Sequence, residues 1–251
     1  MAYQQMANLY DKLMADAPYD QWAQLTKEIL GYANLSINKI ADLGCGTGQV
    51  TTRLAKIGYQ MTGVDYSVDM LSYAEQRASE DKLSIQWINQ DLREMDGLTE
   101  MDAVISYCDV MNYITTQEEL NEVFANVAKM LKENGMFLFD VHSLQHVEND
   151  LVNQTFATVD EDMSSIWFCS EGDEPGEMFH DLTFFVSTGK SYVRFDEFHH
   201  QKTFSIAEYR NLLELNGLQI RNIYGDFSLK AESLHENTER IFFVAEKRLG
   251  N

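Results

Sequence analysis

The run Ile40-Ala-Asp-Leu-Gly-Cys-Gly-Thr-Gly-Gln-Val50 constrains this chain more than any other stretch. Apolar residues lead into Asp42-x-Gly44-x-Gly46-x-Gly48, the pattern of a buried strand that turns sharply toward a helix. Glycines serve such a turn because they accept positive φ and let a ligand lie against bare backbone. A second apolar run ends at Val64-Asp65, which puts Asp65 at a strand tip 21 residues past Gly44. An acid in that place can accept both hydroxyls of a ribose.

The alternation around this loop predicts an α/β fold. Strands are expected at Lys39–Leu43, Gln60–Val64, Ile85–Asn89, Met101–Ser106 and Gly135–Asp140. Helices are expected at Gln49–Lys56, Ser67–Ala78 and Gln117–Leu131. Short apolar strands alternating with helices argue for a parallel sheet covered on both faces. Upstream, helical spacing of apolar residues marks residues 3–17, and Tyr19–Leu30 forms a second helical piece after Pro18. Ligands of such sheets bind outside the carboxyl ends of the strands. Those ends carry Gly44–Gly48, Asp65-Tyr66, Gln90–Leu92, Tyr107–Asn112 and Asp140–His142.

The glycine spacing separates two kinds of nucleotide. A dinucleotide fingerprint counted from Gly44 needs its third glycine at residue 49, which is Gln49. Asp42 ahead of the loop would face a pyrophosphate unfavourably but suits a cationic ligand. A ligand-free βα turn explains the glycines alone, but not the full pattern with Asp65. The stretch resembles the class I S-adenosylmethionine-dependent methyltransferases, whose first motif is an acid followed by Gly-x-Gly-x-Gly.

Beyond Asp140 the period changes. Residues 148–181 hold Glu148, Asp150, Asp160, Glu161, Asp162 and Asp173 but no Lys or Arg. Thr155–Val159, Ser165–Cys169, Met178–Val186 and Ser191–His199 read as antiparallel strands inserted after the fifth strand. Ser205-Ile-Ala-Glu208 is a capping box opening a helix that ends near Gly217. Leu218–Tyr224 and Arg240–Glu246 then read as a closing hairpin. The layout is similar to the methyltransferase core, and closest to the small-molecule branch with a β-rich cap, such as the glycine and aminosugar N-methyltransferases. The resemblance implies a Rossmann-like sheet of seven strands with helices on both faces. It also implies three parts: an N-terminal helical flap over 1–34, a core over 35–147 and 203–251, and an antiparallel β cap over 148–202.

Composition narrows the partners. The 251 residues, 45% hydrophobic, suffice for one large α/β domain. A formal charge of -21 opposes broad contact with nucleic acid or an anionic membrane. No apolar stretch reaches the roughly 20 residues that cross a bilayer, and no secretion signal opens the sequence. Cys45, Cys108 and Cys169 are odd in number and widely spaced, as for reduced thiols in a cytosol. A cytoplasmic enzyme acting on a small molecule is the expectation.

The resemblance implies S-adenosyl-L-methionine as donor and S-adenosyl-L-homocysteine as product. Carried over, it places Gly44, Cys45, Gly46 and Gly48 along the cofactor, with Asp65 on the ribose and Tyr66 and Met70 by the adenine. Asp91 would accept from the adenine amino group while the Leu92 amide donates to the ring. Cys108 would lie near the methyl group, and Tyr10 on the flap would attract the sulfonium by cation–π contact. Tyr19 and Trp22 are expected to anchor the flap. Plain helix packing explains Met70 equally well, and a turn or helix cap explains Asp91.

Methyl transfer is an in-line displacement in which alignment and a dry pocket supply much of the acceleration. A base helps when the acceptor is protonated. Asp109, Tyr113 and His142 stand at the rim, and His199 and His200 can descend from the insertion. His142 is the choice for a base because imidazole titrates near working pH. Asp109, Asn112 and Asp140 do not form a clear Mg²⁺ pattern, so no metal is expected. Other readings are an RNA or protein methyltransferase, a non-catalytic S-adenosylmethionine-binding sensor or assembly module, and more distantly a NAD-dependent dehydrogenase.

Overall fold

The structure, a computed structural model, describes residues 17–32, 37–230 and 232–248. The expected helix over 3–17 lies almost wholly outside the described residues, as does Tyr10. The first described helix, α1 (Tyr19–Tyr32), buries Trp22, Ala23, Leu25, Thr26, Ile29 and Leu30, a stripe at helical spacing that faces a core. Strand β1 (Lys39–Leu43) follows, then α2 (Gln49–Ile57), β2 (Gln60–Asp65), α3 (Val68–Glu80), β3 (Gln86–Asn89), β4 (Met101–Ser106), α4 (Gln117–Met130) and β5 (Leu131–His142). Local chemistry sets several starts: Ser67 caps α3 by accepting from the Met70 amide, and Thr116 caps α4 by accepting from Glu119.

After β5 come two helical turns over Leu144–Leu151, then β6 (Gln154–Val159), β7 (Met163–Glu171), β8 (Glu177–Ser187) and β9 (Tyr192–Lys202). The chain closes with α5 (Ile206–Leu215), β10 (Leu218–Gly225) and β11 (Arg240–Lys247). Ser205 and Glu208 form the expected capping box at the start of α5.

Seven strands make the main sheet in the order β10-β11-β5-β4-β1-β2-β3. The first five strands in chain order run parallel, while β11 is antiparallel to both β5 and β10. This is the Rossmann-like methyltransferase arrangement. One face packs Phe124, Phe137, Phe139, Tyr209 and Phe243 under α4 and α5; the other packs Trp22, Ile40, Leu138 and Phe242 under α1 and α2. The chain leaves β1 toward β2 and β3, then returns to place β4 on the other side of β1. The crevice at that reversal, outside the carboxyl ends of β1 and β4, is where such sheets bind ligands.

The second sheet is antiparallel, in the order β6-β7-β8-β9. Its anchor is a small core of Val147, Leu151, Val152, Cys169 and Met178. The helical turns that supply Val147 and Leu151 are not evident from sequence, because their polar residues mask a period this short. No described helix is long and apolar enough to cross a membrane.

Candidate active site

The loop after β1 is bonded to the tip of β2. Parallel pairing sets Leu43 beside Val64, and the Gly44 and Cys45 amides both donate to the Val64 carbonyl. Gly44, Gly46 and Gly48 all adopt positive φ, at 72°, 53° and 74°. A Cβ on Gly44 would come within 2.5 Å of Val110, so that glycine permits packing of the loop against the turn after β4. Gly46 faces open space instead, with nothing within 4 Å of such an atom. Bare backbone facing a void is what close ligand approach requires.

Asp65 is buried, accepting from the Gly46 amide through Oδ2 and the Ser67 amide through Oδ1, each at 2.8 Å. Burial raises its pKa, and these amide bonds oppose the rise. Asp42, beneath the loop, accepts from the Thr51 hydroxyl at 2.5 Å. Burial pushes Asp42 up to about 7, with the nearby Asp65 charge adding to the rise against the Thr51 bond. Among the described residues no cation pairs with either acid. The Asp65 carboxylate beside an open backbone cradle, with Asp42 beneath it, fits a ligand with ribose hydroxyls to donate and no anionic group at this point.

Around this loop the other expected contacts have varied settings. Tyr66 is 81% exposed beside Asp65, and Met70 is half-buried on the first turn of α3. Asp91 caps the turn Leu92–Glu94 and pairs with Arg93 at 2.6 Å, which together hold its carboxyl below the usual range. Its side chain therefore has the cap role. Leu92 is buried in the core under α4. Cys45 and Cys108 are free thiols whose pKa burial raises well above the ordinary value.

The turn after β4 reaches a buried polar cluster that sequence reasoning did not assemble. Cys108 and Asp109 both take left-handed backbone, at φ 60° and 53°, a conformation that non-glycine residues hold only under constraint. The Asp109 amide donates to Asp140 Oδ1 at 2.9 Å, which supplies part of that constraint. Register then brings in β11: Arg240 stands opposite His142, and Phe242 opposite Asp140. The Arg240 guanidinium lies 3.0 Å from Asp109 and 3.1 Å from Asp140. Trp22 of α1, expected only as an apolar anchor, also donates its indole N–H to Asp140 at 2.6 Å. Arg240 was missed because nothing local marks it; only strand register shows what it faces.

Burial opposes the Arg240 charge, and Asp140 and Asp109 more than offset that. Asp109 is held at about 2 although burial acts to raise it, through His142, Arg240 and a bond from Gln201. His142 differs from the expectation of an imidazole titrating near neutrality. Burial draws it down to about 3 against the pull of Asp109, so the ring stays neutral at working pH. Its Nε2 is 3.6 Å from Asp109, and its Nδ1 is buried without a partner.

The second sheet meets this rim through β9. Gln201 donates to Asp109 at 3.0 Å, Asn112 donates to the Lys202 carbonyl at 3.0 Å, and the Thr203 hydroxyl donates to the His142 carbonyl at 2.6 Å. Tyr113 Oη lies 3.2 Å from His199 Nδ1. A cavity of about 480 Å³ opens beside the cluster, lined by Trp22, His142, His146, Phe227 and Arg240 among others.

Comparison with known proteins agrees with this geometry. Residues 40–135 match a family described as "Methyltransferase domain". A protein of Bacillus subtilis (strain 168) named "Putative methyltransferase YqeM" is 41% identical over 248 residues, covering 98% of each chain. The crystal structure of an S-adenosylmethionine-dependent methyltransferase from Clostridium acetobutylicum superposes with a TM-score of 0.90 at 29% identity, covering 99% of this chain and 100% of that one. An amino pentose methyltransferase from Micromonospora echinaspora, solved with S-adenosylmethionine bound, shares the fold at a TM-score of 0.78 and 17% identity, covering 95% of this chain and 96% of that one. With the acid, the glycine loop and the sheet order in place, this chain belongs to the class I S-adenosylmethionine-dependent methyltransferases.

Proposed function

We propose that this enzyme methylates a small molecule through a nitrogen or oxygen nucleophile, and of the two the site favours the nitrogen of an amine. The observation that carries the reading is the charge of the rim. Arg240 is matched by two acids, Asp109, which is held low, and Asp140, whose pKa burial raises, and His142 stays neutral, so the cluster carries no net positive charge. A cationic or neutral amine fits such a site; a carboxylate or phosphate would find the one guanidinium already committed to Asp109 and Asp140.

When bound, S-adenosylmethionine supplies a methyl group on a sulfonium. In this reading Asp65 accepts the ribose hydroxyls, and Gly44, Cys45, Gly46 and Gly48 line the chain of the cofactor. Tyr66, Met70, Asp91 and Leu92 border the adenine, Cys108 stands by the methyl, and Tyr10 would contact the sulfonium from the flap. Residues 148–202 act as the cap that excludes water from the acceptor, and His142 borders the acceptor as a neutral hydrogen-bonding group. An attack on carbon needs a dry, aligned nucleophile, which a capped rim provides.

Thermal-shift screening of metabolites with S-adenosylhomocysteine present tests the reading. An amine that adds a further rise in Tm, and that is methylated in a methyl-release assay, is the expected result. A rise only with RNA or protein, with no amine responding, would contradict it.

A further inference from the structure

The inward face of β9 carries three acceptors and donors in a row. Residues two apart on a strand share a face, and Gln201, His199 and Glu197 are such a series. Gln201 bonds Asp109 at the rim, His199 comes next, and Glu197 lies further out. Glu197 Oε2 is 3.1 Å from His199 Nε2, and His199 Nδ1 is 3.2 Å from Tyr113 Oη. A carboxylate only accepts, so Glu197 selects the tautomer with the proton on Nε2. That leaves the Nδ1 lone pair to accept from the Tyr113 hydroxyl. The residue is half-exposed; burial and the nearby Asp109, Tyr66 and Glu197 keep its phenol protonated, and Gln201 also bonds the hydroxyl. Tyr66 directly follows the ribose acid Asp65, so Tyr113 stands between the glycine loop and the second sheet.

We propose that Tyr113 is the catalytic residue that takes the acceptor's proton, with His199 and Glu197 as positioning residues that relay it. The assignment rests on the small-molecule methyl-transfer reading above. The acceptor enters as an ammonium, and one of its N–H bonds breaks as that proton joins Tyr113 Oη. The Tyr113 O–H bond breaks in the same event, and that proton joins His199 Nδ1. Glu197 stabilises the resulting imidazolium across Nε2, and the nitrogen keeps the electron pair with which it takes the methyl. The other candidates are poorer proton acceptors: Asp109 is committed to Arg240 and Gln201, and burial draws His142 down to about 3.

Sinefungin tests the assignment without knowledge of the acceptor, because it carries a C–NH₃⁺ where the cofactor has S⁺–CH₃. Its ammonium points at whatever group receives the acceptor. Calorimetric Kd values for sinefungin and S-adenosylhomocysteine are compared in the unaltered protein, Tyr113→Phe and His199→Gln. Each variant is expected to weaken sinefungin about tenfold while S-adenosylhomocysteine stays within about twofold, which also shows that the variants fold. Unchanged sinefungin affinity in both variants would overturn the relay. Failure of the unaltered protein to bind S-adenosylhomocysteine would overturn the cofactor reading and the relay with it.

Discussion

The carboxylate of Asp65 accepts the amide of Gly46 at 2.8 Å, so the acid of β2 and the glycine loop of β1 are one bonded unit. The same carboxylate takes the Ser67 amide through its other oxygen. Removing it leaves the loop amide unpartnered and takes away the acceptor for the ribose. Asp65→Ala is expected to weaken S-adenosylhomocysteine by about tenfold or more, measured by titration calorimetry. An unchanged Kd would place the ribose elsewhere.

Two glycines of the loop should fail in different ways. Gly48 has φ 74°, and a Cβ there would come within 2.9 Å of Trp87 and 3.0 Å of Ala74. Gly48→Ala is expected to cost about 1–3 kcal/mol of stability, seen as a lower Tm. Gly46 has φ 53° but meets nothing within 4 Å. Gly46→Ala should cost about 1 kcal/mol in backbone strain, yet reduce S-adenosylhomocysteine affinity at least about tenfold by filling the face the ligand approaches.

Arg240 separates the buried Asp140 from the half-buried Asp109, and its loss should be severe. Arg240→Met leaves Asp109 and Asp140 facing each other without a cation. A loss of about 3–5 kcal/mol is expected in denaturant unfolding. Trp22→Phe removes the indole bond to Asp140 and part of the ring that packs on Phe227 and Arg240 but leaves the guanidinium in place, so a smaller loss of about 1–3 kcal/mol is expected. Equal effects of the two would mean that the guanidinium is not the element that holds the cluster.

Asp42 predicts a pH dependence with a definite sign. Its folded pKa is raised from 3.8 to about 7. Between those values the folded chain holds a proton that the unfolded chain has released, so this group's contribution to stability falls as pH rises. Asp42→Asn removes that slope. The unfolding free energy of the variant relative to the unaltered protein should rise between pH 4 and about 7 and then level off. His142, drawn down to about 3, slopes the opposite way below pH 6.5 in both proteins and cancels in the comparison. A difference that is flat with pH would contradict the buried, unpaired state of Asp42.

Much of the sheet is legible in the sequence for a physical reason. Parallel strands buried on both faces are continuous apolar runs, and Lys39–Leu43 and Met101–Ser106 have the bounds their residues predict. Ser205 and Glu208 announce α5 because a capping box is a local bond. Strand β5 is longer than expected, Leu131–His142 instead of Gly135–Asp140, since pairing with β4 and β11 extends it through polar residues. The relation of Asp65 to the glycine loop is legible because parallel neighbours in the chain are neighbours in the sheet. Arg240 and Gln201 were not, because Asp109 is 131 residues from one and 92 from the other. The neutral state of His142 was hidden too, as it follows from burial and not from residue type.

The most direct measurement is a crystal structure of the protein with S-adenosylhomocysteine. The account predicts the two ribose hydroxyls within about 2.5–3.0 Å of the Asp65 carboxylate, with the homocysteine chain across Gly46. A ligand seated elsewhere, with Asp65 bonded only to the Gly46 and Ser67 amides, would contradict it.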